Sequence, residues 1–517
     1  MRRNIPIYRI LTLSFLFILL LFYPSGVQKE AKQISFQKNK LPLGMENLNE
    51  KRSIQKISAD MTYTKIERGR PSNQYTVEVG FFEDQATARK LIKKLAINNF
   101  SFSILPIQND HFNDIREDII GYSVRSRNYK KESEAKLVKT QLSVKGFSGK
   151  VLYNGFDGSS TKTTGPWTIH ILEINRKVSD NLFITLANGE VSGKETVSRI
   201  AARSNAIAAI NGGYFVMKEN EGTTGDLAGI SIINGELLSE GINHRSGLVL
   251  SKRKANVSVL STQIQVKSSD GFQRDVNGIN RVTGLSRNCG SLTNLKPLHD
   301  ITCHSDSELI LYKPIFDTVT PVGIGVEVVL NEQGEVILQD EFQGHIIPRN
   351  GSVLSGTGEA AAWLRTHATV GMKVMTKTHV QSDKRELSLT PKTSVVNGGP
   401  LLVKNNQFFI DAEREGFKWS HDFFYRFGIN RNPRTLAGIK PDGTILLVAV
   451  DGRNPQISVG LSFQESAVLM KALGAKDALN LDGGGSTTMV INGKIVNHPS
   501  DSAGERPVGD AILFTQN

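Results

Sequence analysis

The stretch Asn480-Leu481-Asp482-Gly483-Gly484-Gly485-Ser486-Thr487-Thr488-Met489 gathers a carboxylate, three glycines and three hydroxyls into one short run. The apolar Ala478-Leu479-Asn480-Leu481 before it reads as a buried strand, so these groups fall at a strand end. Glycines let a backbone approach a ligand closely, and successive N–H groups in such a turn can form a nest for an anion. Asp482, beside that nest, has the chemistry of a nucleophile, a base or a metal ligand. Standing alone, the segment reads more simply as a tight structural turn.

It has company. Ala208-Ala209-Ile210-Asn211-Gly212-Gly213-Tyr214-Phe215 and Ser394-Val395-Val396-Asn397-Gly398-Gly399-Pro400 repeat the plan of an apolar strand, an Asn and then glycines. Thr444 to Val450 is another apolar run, and it ends in Asp451-Gly452-Arg453, just after Arg431-Asn432-Pro433-Arg434-Thr435. A guanidinium fork matches phosphate oxygens, which makes Arg434 and Arg453 candidate phosphate clamps, although singly each reads more simply as a surface ion pair. Gly460-Leu461-Ser462-Phe463-Gln464-Glu465, followed by Ala467, Leu469, Met470 and Leu473, predicts an amphipathic helix. Glu465 falls in its first turn, where an acid is favourable without any catalytic role.

Together these stretches resemble the phosphodiester glycosidase family, with the motifs in family order across about residues 166–517. The resemblance implies a β-rich α+β catalytic domain that hydrolyses the glycosidic bond of sugar-1-phosphate diesters, N-acetylglucosamine-1-phosphodiesters above all. Such cleavage develops positive charge on the sugar ring and negative charge on the leaving phosphate, and the protein must stabilise both. Asp482 or Asp451 is expected at the anomeric centre, with Glu465 a further catalytic candidate. Arg434, Thr435, Arg453 and the backbone of Gly483, Gly484 and Gly485 are expected to hold phosphate. Asn211, Gly212, Gly213, Ser486 and Thr487 would contact sugar hydroxyls or phosphate, their plainer role being to cap the turns. No cofactor is required, and the clustered Asp and Asn leave a divalent cation open. The alternatives are a phosphodiesterase that breaks the phosphorus–oxygen bond, or a wall-polysaccharide binding protein without turnover.

The elements that must carry these groups include more than the enzyme. A chain of 517 residues exceeds one ordinary core. Its net charge of +12 is uneven: residues 1–165 hold 27 Lys and Arg against 15 Asp and Glu, and the remainder holds 35 of each. Arg2, Arg3 and Arg9 precede an uncharged apolar run, Ile10 to Tyr23, which predicts an export signal or signal anchor over residues 1–23 with the N-terminus inside. Nucleic acid is then excluded as a partner; the membrane is one if the signal stays uncleaved. Residues 24–72 are polar and basic, as in a flexible stalk. Tyr75, Val77, Phe82, Ala88, Leu95 and Phe100 recur 47 residues on as Tyr122, Val124, Tyr129, Ala135, Leu142 and Phe147, predicting a duplicated βαββαβ unit. The unit resembles the SPOR domain over residues 73–153, which implies binding of peptidoglycan glycan strands. Residues 154–165 read as a linker. Cys289 and Cys303 are the only cysteines and, in an exported chain, predict a disulfide within a polar surface loop.

Overall fold

The structure, a computed structural model, describes residues 40–71, 74–109, 111–160, 162–252, 254–290 and 296–515. The export signal expected over residues 1–23 and the first part of the expected stalk lie outside them. Among the described residues no helix is long and apolar enough to cross a membrane. From Leu41 onward the chain is β-rich with few helices, consistent with the α+β class expected.

The stalk expectation needs correcting. Glu50–Ser58 (β1) and Met61–Arg68 (β2) form a hairpin, and β2 pairs onward with the strand Trp167–Ile174 from Met61↔Ile174 to Arg68↔Trp167. Leu41, Leu43 and Leu48 are buried, and the buried Arg68 ties this stretch down by donating to the carbonyls of Leu43 (2.8 Å) and Met45 (3.0 Å). The hairpin escapes sequence reading because β1 is an edge strand. Nearly all its side chains face water, so no apolar alternation marks it, and its charges shield the open edge from further pairing.

The duplicated segment runs β3 (Tyr75–Phe82), α1 (Gln85–Ile97), β4 (Phe102–Gln108), β5 (Ile119–Ser126), α2 (Glu132–Val144) and β6 (Lys150–Tyr153), with sheet order β4-β5-β3-β6. Val77, Ala88 and Leu95, with their equivalents Val124, Ala135 and Leu142, are all fully buried in a single core. Phe100 and Phe147 meet edge to face at 6.3 Å, so the two copies pack on each other. The residues alternating with this core point to the sheet's opposite face, and that face is not free. Arg125 donates there to Glu78 (3.1 Å) and Ser123 (2.8 Å), and also to Asp157 and the Tyr425 hydroxyl. Tyr425 donates to Glu78 (2.7 Å), and its ring stacks on Phe81 at 4.1 Å. The expected linker is likewise pinned: Arg431 donates to the carbonyls of Gly155, Asp157 and Ser160.

The large domain is organised by an eight-stranded sheet. Its order is β1, β2, β7 (Trp167–Ile174), then the strands Ile445–Val450, Arg434–Ile439, Asp477–Asn480, Leu401–Lys404 and Gln407–Phe408. Central strands such as Ile445–Val450 are buried on both faces, which explains their unbroken apolar sequence. One face packs on Phe424, Phe463 and Leu469. The other packs on Ala208, Ile210, Met489, Ile491 and Ile512 of a five-stranded sheet. A further β-rich lobe, spanning much of residues 230–390, has its own core around Val326, Val328 and Leu354.

Because Arg125 neutralises two mostly buried carboxylates, Arg125→Met should cost roughly 3–5 kcal/mol. Urea unfolding followed by circular dichroism checks this: the variant should show the duplicated module unfolding ahead of the large domain. A single transition at the parent's midpoint would deny Arg125 that part.

Candidate active site

Sheet register brings the distant motifs together. Arg434 pairs with Val450 and Leu436 with Asn480, so the start of one strand and the ends of its two neighbours share one sheet edge. From Asn480 the chain crosses through the glycine turn into Met489–Ile491 of the five-stranded sheet, where Met489 pairs with Ile210 beside Asn211. Three asparagines lock this corner. Asn211 Nδ2 donates to the Asp482 carbonyl (2.7 Å), while its Oδ1 accepts from Thr435 Oγ1 (2.8 Å) and the Thr488 N–H (3.2 Å). Asn397 Oδ1 accepts from the Tyr214 N–H (2.8 Å). Asn480 Nδ2 donates to the Tyr214 hydroxyl (2.8 Å) and the Gly399 carbonyl (3.1 Å). A Cβ on Gly213 would stand 2.5 Å from Asn397 Nδ2, so glycine is required for the approach.

Asp482, partly buried, heads the turn. Removal from water pushes its pKa up to about 7, against the Ser486 hydroxyl, Arg506 and the Gly483 N–H, which favour the carboxylate. Asp510 Oδ1 accepts from the Gly213 N–H (2.9 Å), and burial with the nearby Asp482 charge raises its pKa to about 7 as well. Two guanidinium groups flank the glycines. Arg453 holds a left-handed φ of 59°, a costly conformation for a residue with a Cβ, and a Cβ on Gly484 would lie 3.2 Å from its Nη2. On the other side, a Cβ on Gly485 would collide with Arg506, which is paired through two hydrogen bonds with Asp501 (2.7 and 3.0 Å). Thr488 Oγ1, Asn480 Oδ1 and Asp510 Oδ2 are buried without hydrogen-bond partners. Such a concentration of unmet polar atoms marks a place for water or ligand oxygens.

Several expected residues have other duties. Asp451 reaches the same sheet edge but shares a face with Ala449 and His170, opposite to that of Arg434 and Val450. Its carboxylate accepts from the His498 N–H (2.8 Å) and meets His498 Nδ1 (2.9 Å) and His170 Nε2 (3.4 Å); despite burial, these partners hold its pKa below the usual range. It thereby anchors the segment leading to Asp501 and Arg506. Glu465 is spent on a capping box with Ser462 and a buried ion pair with Arg431. Arg434 is fully buried, its Nε and Nη2 donating to the carbonyls of Leu461 (2.9 Å) and Phe427 (2.5 Å) and its guanidinium 4.4 Å from the Phe463 ring; burial lowers its pKa to about 10. The Gly484 N–H donates to Pro433 (2.9 Å). Thr435 serves Asn211, and Gly212 packs on Asp510. Ser486 and Thr487 stand buried at the turn.

Sequence reasoning missed Arg506, Asp501 and Asp510. Only Asp510, a lone acid opening the apolar run Ala511-Ile512-Leu513-Phe514, carried a legible signal. Cys289 and Cys303 form the expected disulfide, yet the loop they close is not merely superficial. Its His299 is buried against Tyr214 and Phe417. Among the described residues no group of three or more His, Cys, Asp or Glu is arranged to hold a metal ion.

A family model for phosphodiester glycosidases matches residues 325–515, which include the Asn397, Asp451 and Asp482 motifs, and one for SPOR domains matches residues 71–153. The chain carries a phosphodiester glycosidase domain over residues 325–515 and a SPOR domain over residues 71–153. Mouse N-acetylglucosamine-1-phosphodiester alpha-N-acetylglucosaminidase is 30% identical over 117 residues, 22% of this chain and 22% of its own length. The bovine protein of the same name is 33% identical over 115 residues, 22% of this chain and 21% of its own. The chain thus spans about a fifth of the length of those two proteins. The crystal structure of an inferred exported protein of Burkholderia pseudomallei is 31% identical with a TM-score of 0.82, and the match covers 92% of this chain and 98% of that one.

The raised acids set a pH dependence. Asp482 and Asp510 keep protons to about pH 7 in the fold, against about pH 4 in the unfolded chain. Between those limits the folded state binds more protons, so stability should fall as pH rises from about 4 to 7. Asp510→Asn should flatten that fall by roughly 1–3 kcal/mol in urea titrations across the range; an unchanged slope would mean that Asp510 is ionised in the fold.

Proposed function

We propose that this protein is an exported cell-envelope hydrolase that cleaves the glycosidic bond of sugar-1-phosphate diesters. The observation that carries the reading is one acid with a pKa near 7, Asp482, beside a glycine turn flanked by Arg453 and Arg506. Asp482 acts at the anomeric carbon, where a carboxyl group titrating near neutrality can take or give a proton. Arg453 and Arg506 face the leaving phosphate, whose charge their guanidinium groups offset in a partly dry site. A phosphate leaving group carries its own negative charge and needs less protonation than an alkoxide would, so holding it matters more than protonating it. Ser486 and Thr488 hydroxyls supply the remaining polar contacts. The names of the mouse and bovine relatives support an N-acetylglucosamine-1-phosphodiester as the model substrate, and the Burkholderia relative supports export. The SPOR domain supports a wall location, with peptidoglycan glycan as partner and sugar-1-phosphate linkages of wall polymers as natural substrates.

Two experiments test the proposal. Asp482→Asn should lower kcat on an N-acetylglucosamine-1-phosphodiester by roughly 10²–10⁴-fold, and Arg453→Ala should lower kcat/KM on the order of 10²-fold. Parent-like turnover in Asp482→Asn, measured as released sugar, would remove Asp482 from the chemistry. Hydrolysis in oxygen-labelled water should place the label in the sugar; label in the phosphate would establish phosphorus–oxygen cleavage instead.

A further inference from the structure

The β-rich lobe of residues 230–390 carries an apolar surface that the chemistry proposed above does not use. The last strand of the lobe's five-stranded sheet, Val336–Phe342, pairs with Ile324–Leu330. At one end of that pair Ile324 lies opposite Phe342, and the ladder is taken up again by a bridge between Val319 and Ile346. Backbone hydrogen bonds from Gln343 to Gly323 (3.2 Å), Thr320 to His345 (2.9 Å) and Ile347 to Thr318 (3.0 Å) hold the two stretches together. The His345 ring is fixed in turn by Glu327 (2.9 Å) and Asp340 (3.2 Å). A Cβ on Gly344 would stand 3.1 Å from Val322, so that side chain lies over the same ladder. Yet Val319 is 43% exposed, Phe342 67%, Ile346 74%, and Val322 and Ile324 90% each. Five apolar side chains are thus held side by side in water by a well-bonded backbone.

We propose that this patch is a self-association surface, covered by the same patch of a second copy of the chain in a two-fold dimer. Area is the first argument. At the exposures given, the five side chains present on the order of 600 Å² of apolar surface, as much as the largest patch on an ordinary monomer, about 300–600 Å². A two-fold contact buries the patch of both copies, on the order of 1,200 Å² in all, which reaches the lower bound of stable, specific interfaces. A two-fold axis also lets one apolar patch serve as its own complement, residue against residue. Charge is the second argument. Residues 318–325 and 342–347 contain no Lys or Arg, and the charges that adjoin them are of mixed sign: Glu341 pairs with Arg365 (2.6 Å) and Asp340 with His345. An apolar centre with a mixed polar rim is the anatomy of a protein interface. A surface made to dip into an anionic bilayer would instead be ringed with cations. Because the backbone hydrogen bonds set the patch before a partner arrives, little ordering cost attends the contact.

The test is sedimentation equilibrium of the full chain over a range of concentrations. The parent should pass from one chain to two with a dissociation constant on the order of micromolar. The double variant Ile324→Asp with Phe342→Asp should raise that constant at least about a hundredfold, since two carboxylates would then be driven into the apolar centre of the contact. Both side chains face water in the single chain, so the variant should melt as the parent does when each is diluted to the monomer. Hydrogen exchange on the parent gives a readout that needs no variant: protection of residues 319–324 and 342–346 should grow with protein concentration. A parent that stays monomeric up to about 100 μM, association equal in parent and double variant, or protection that grows elsewhere and not here would overturn the proposal. So would flotation of a monomeric parent, but not of the double variant, with vesicles of phosphatidylcholine and phosphatidylglycerol, which would assign the patch to a lipid surface.

Discussion

The interlocking of three Asn-headed turns is the constraint on which the rest of this molecule depends. Asn211, Asn397 and Asn480 each end a buried strand, and each turns its amide onto the backbone or tyrosine of another motif. Buried strand ends leave N–H and C=O groups that water cannot reach, and an unmet one costs about 1–3 kcal/mol. Short amides with both donors and acceptors satisfy several such groups at once, and glycines let the backbones approach closely enough. The corner so formed joins two sheets, and Asp482, Arg453 and Arg506 are mounted on it. The asparagines and glycines are therefore scaffold, and the charged groups they bring close are those to which the proposed function assigns the chemistry.

That division explains what could be read in advance. The strand-Asn-Gly pattern, the glycine turn and the duplicated module were legible because each is local: apolar runs, turn residues and a constant spacing. Three of the six repeated positions, Val77, Ala88 and Leu95, are fully buried with their partners, and the aromatic positions pack partly buried around them. Side-chain partners across the fold were not legible. An arginine near a strand end looks the same in sequence whether it stacks on Phe463, as Arg434 does, or flanks a glycine turn, as Arg453 does. Asp451 and Asp482 both end apolar strands, yet Asp451 is held by His170 and His498. Arg506 sits in a loop with no periodicity at all and was invisible until the fold placed it.

The first half of the chain is more integrated than its polar composition indicated. A basic stretch became the outer hairpin of the main sheet, and the expected linker is held by Arg431, whose other partner is Glu465. Arg125 joins the repeat to the large domain in the same manner, through a charge buried among carboxylates and a tyrosine. Breaking such pairs is costly, so the SPOR module is fixed against the large domain.

The most direct test of the catalytic corner is a crystal structure of the Asp482→Asn variant with N-acetylglucosamine-1-phosphate. The phosphate should lie between Arg453 and Arg506 over the glycine turn, with the anomeric carbon facing residue 482. Electron density for the ligand elsewhere, with these arginines untouched, would contradict the assignment of this corner as the active site.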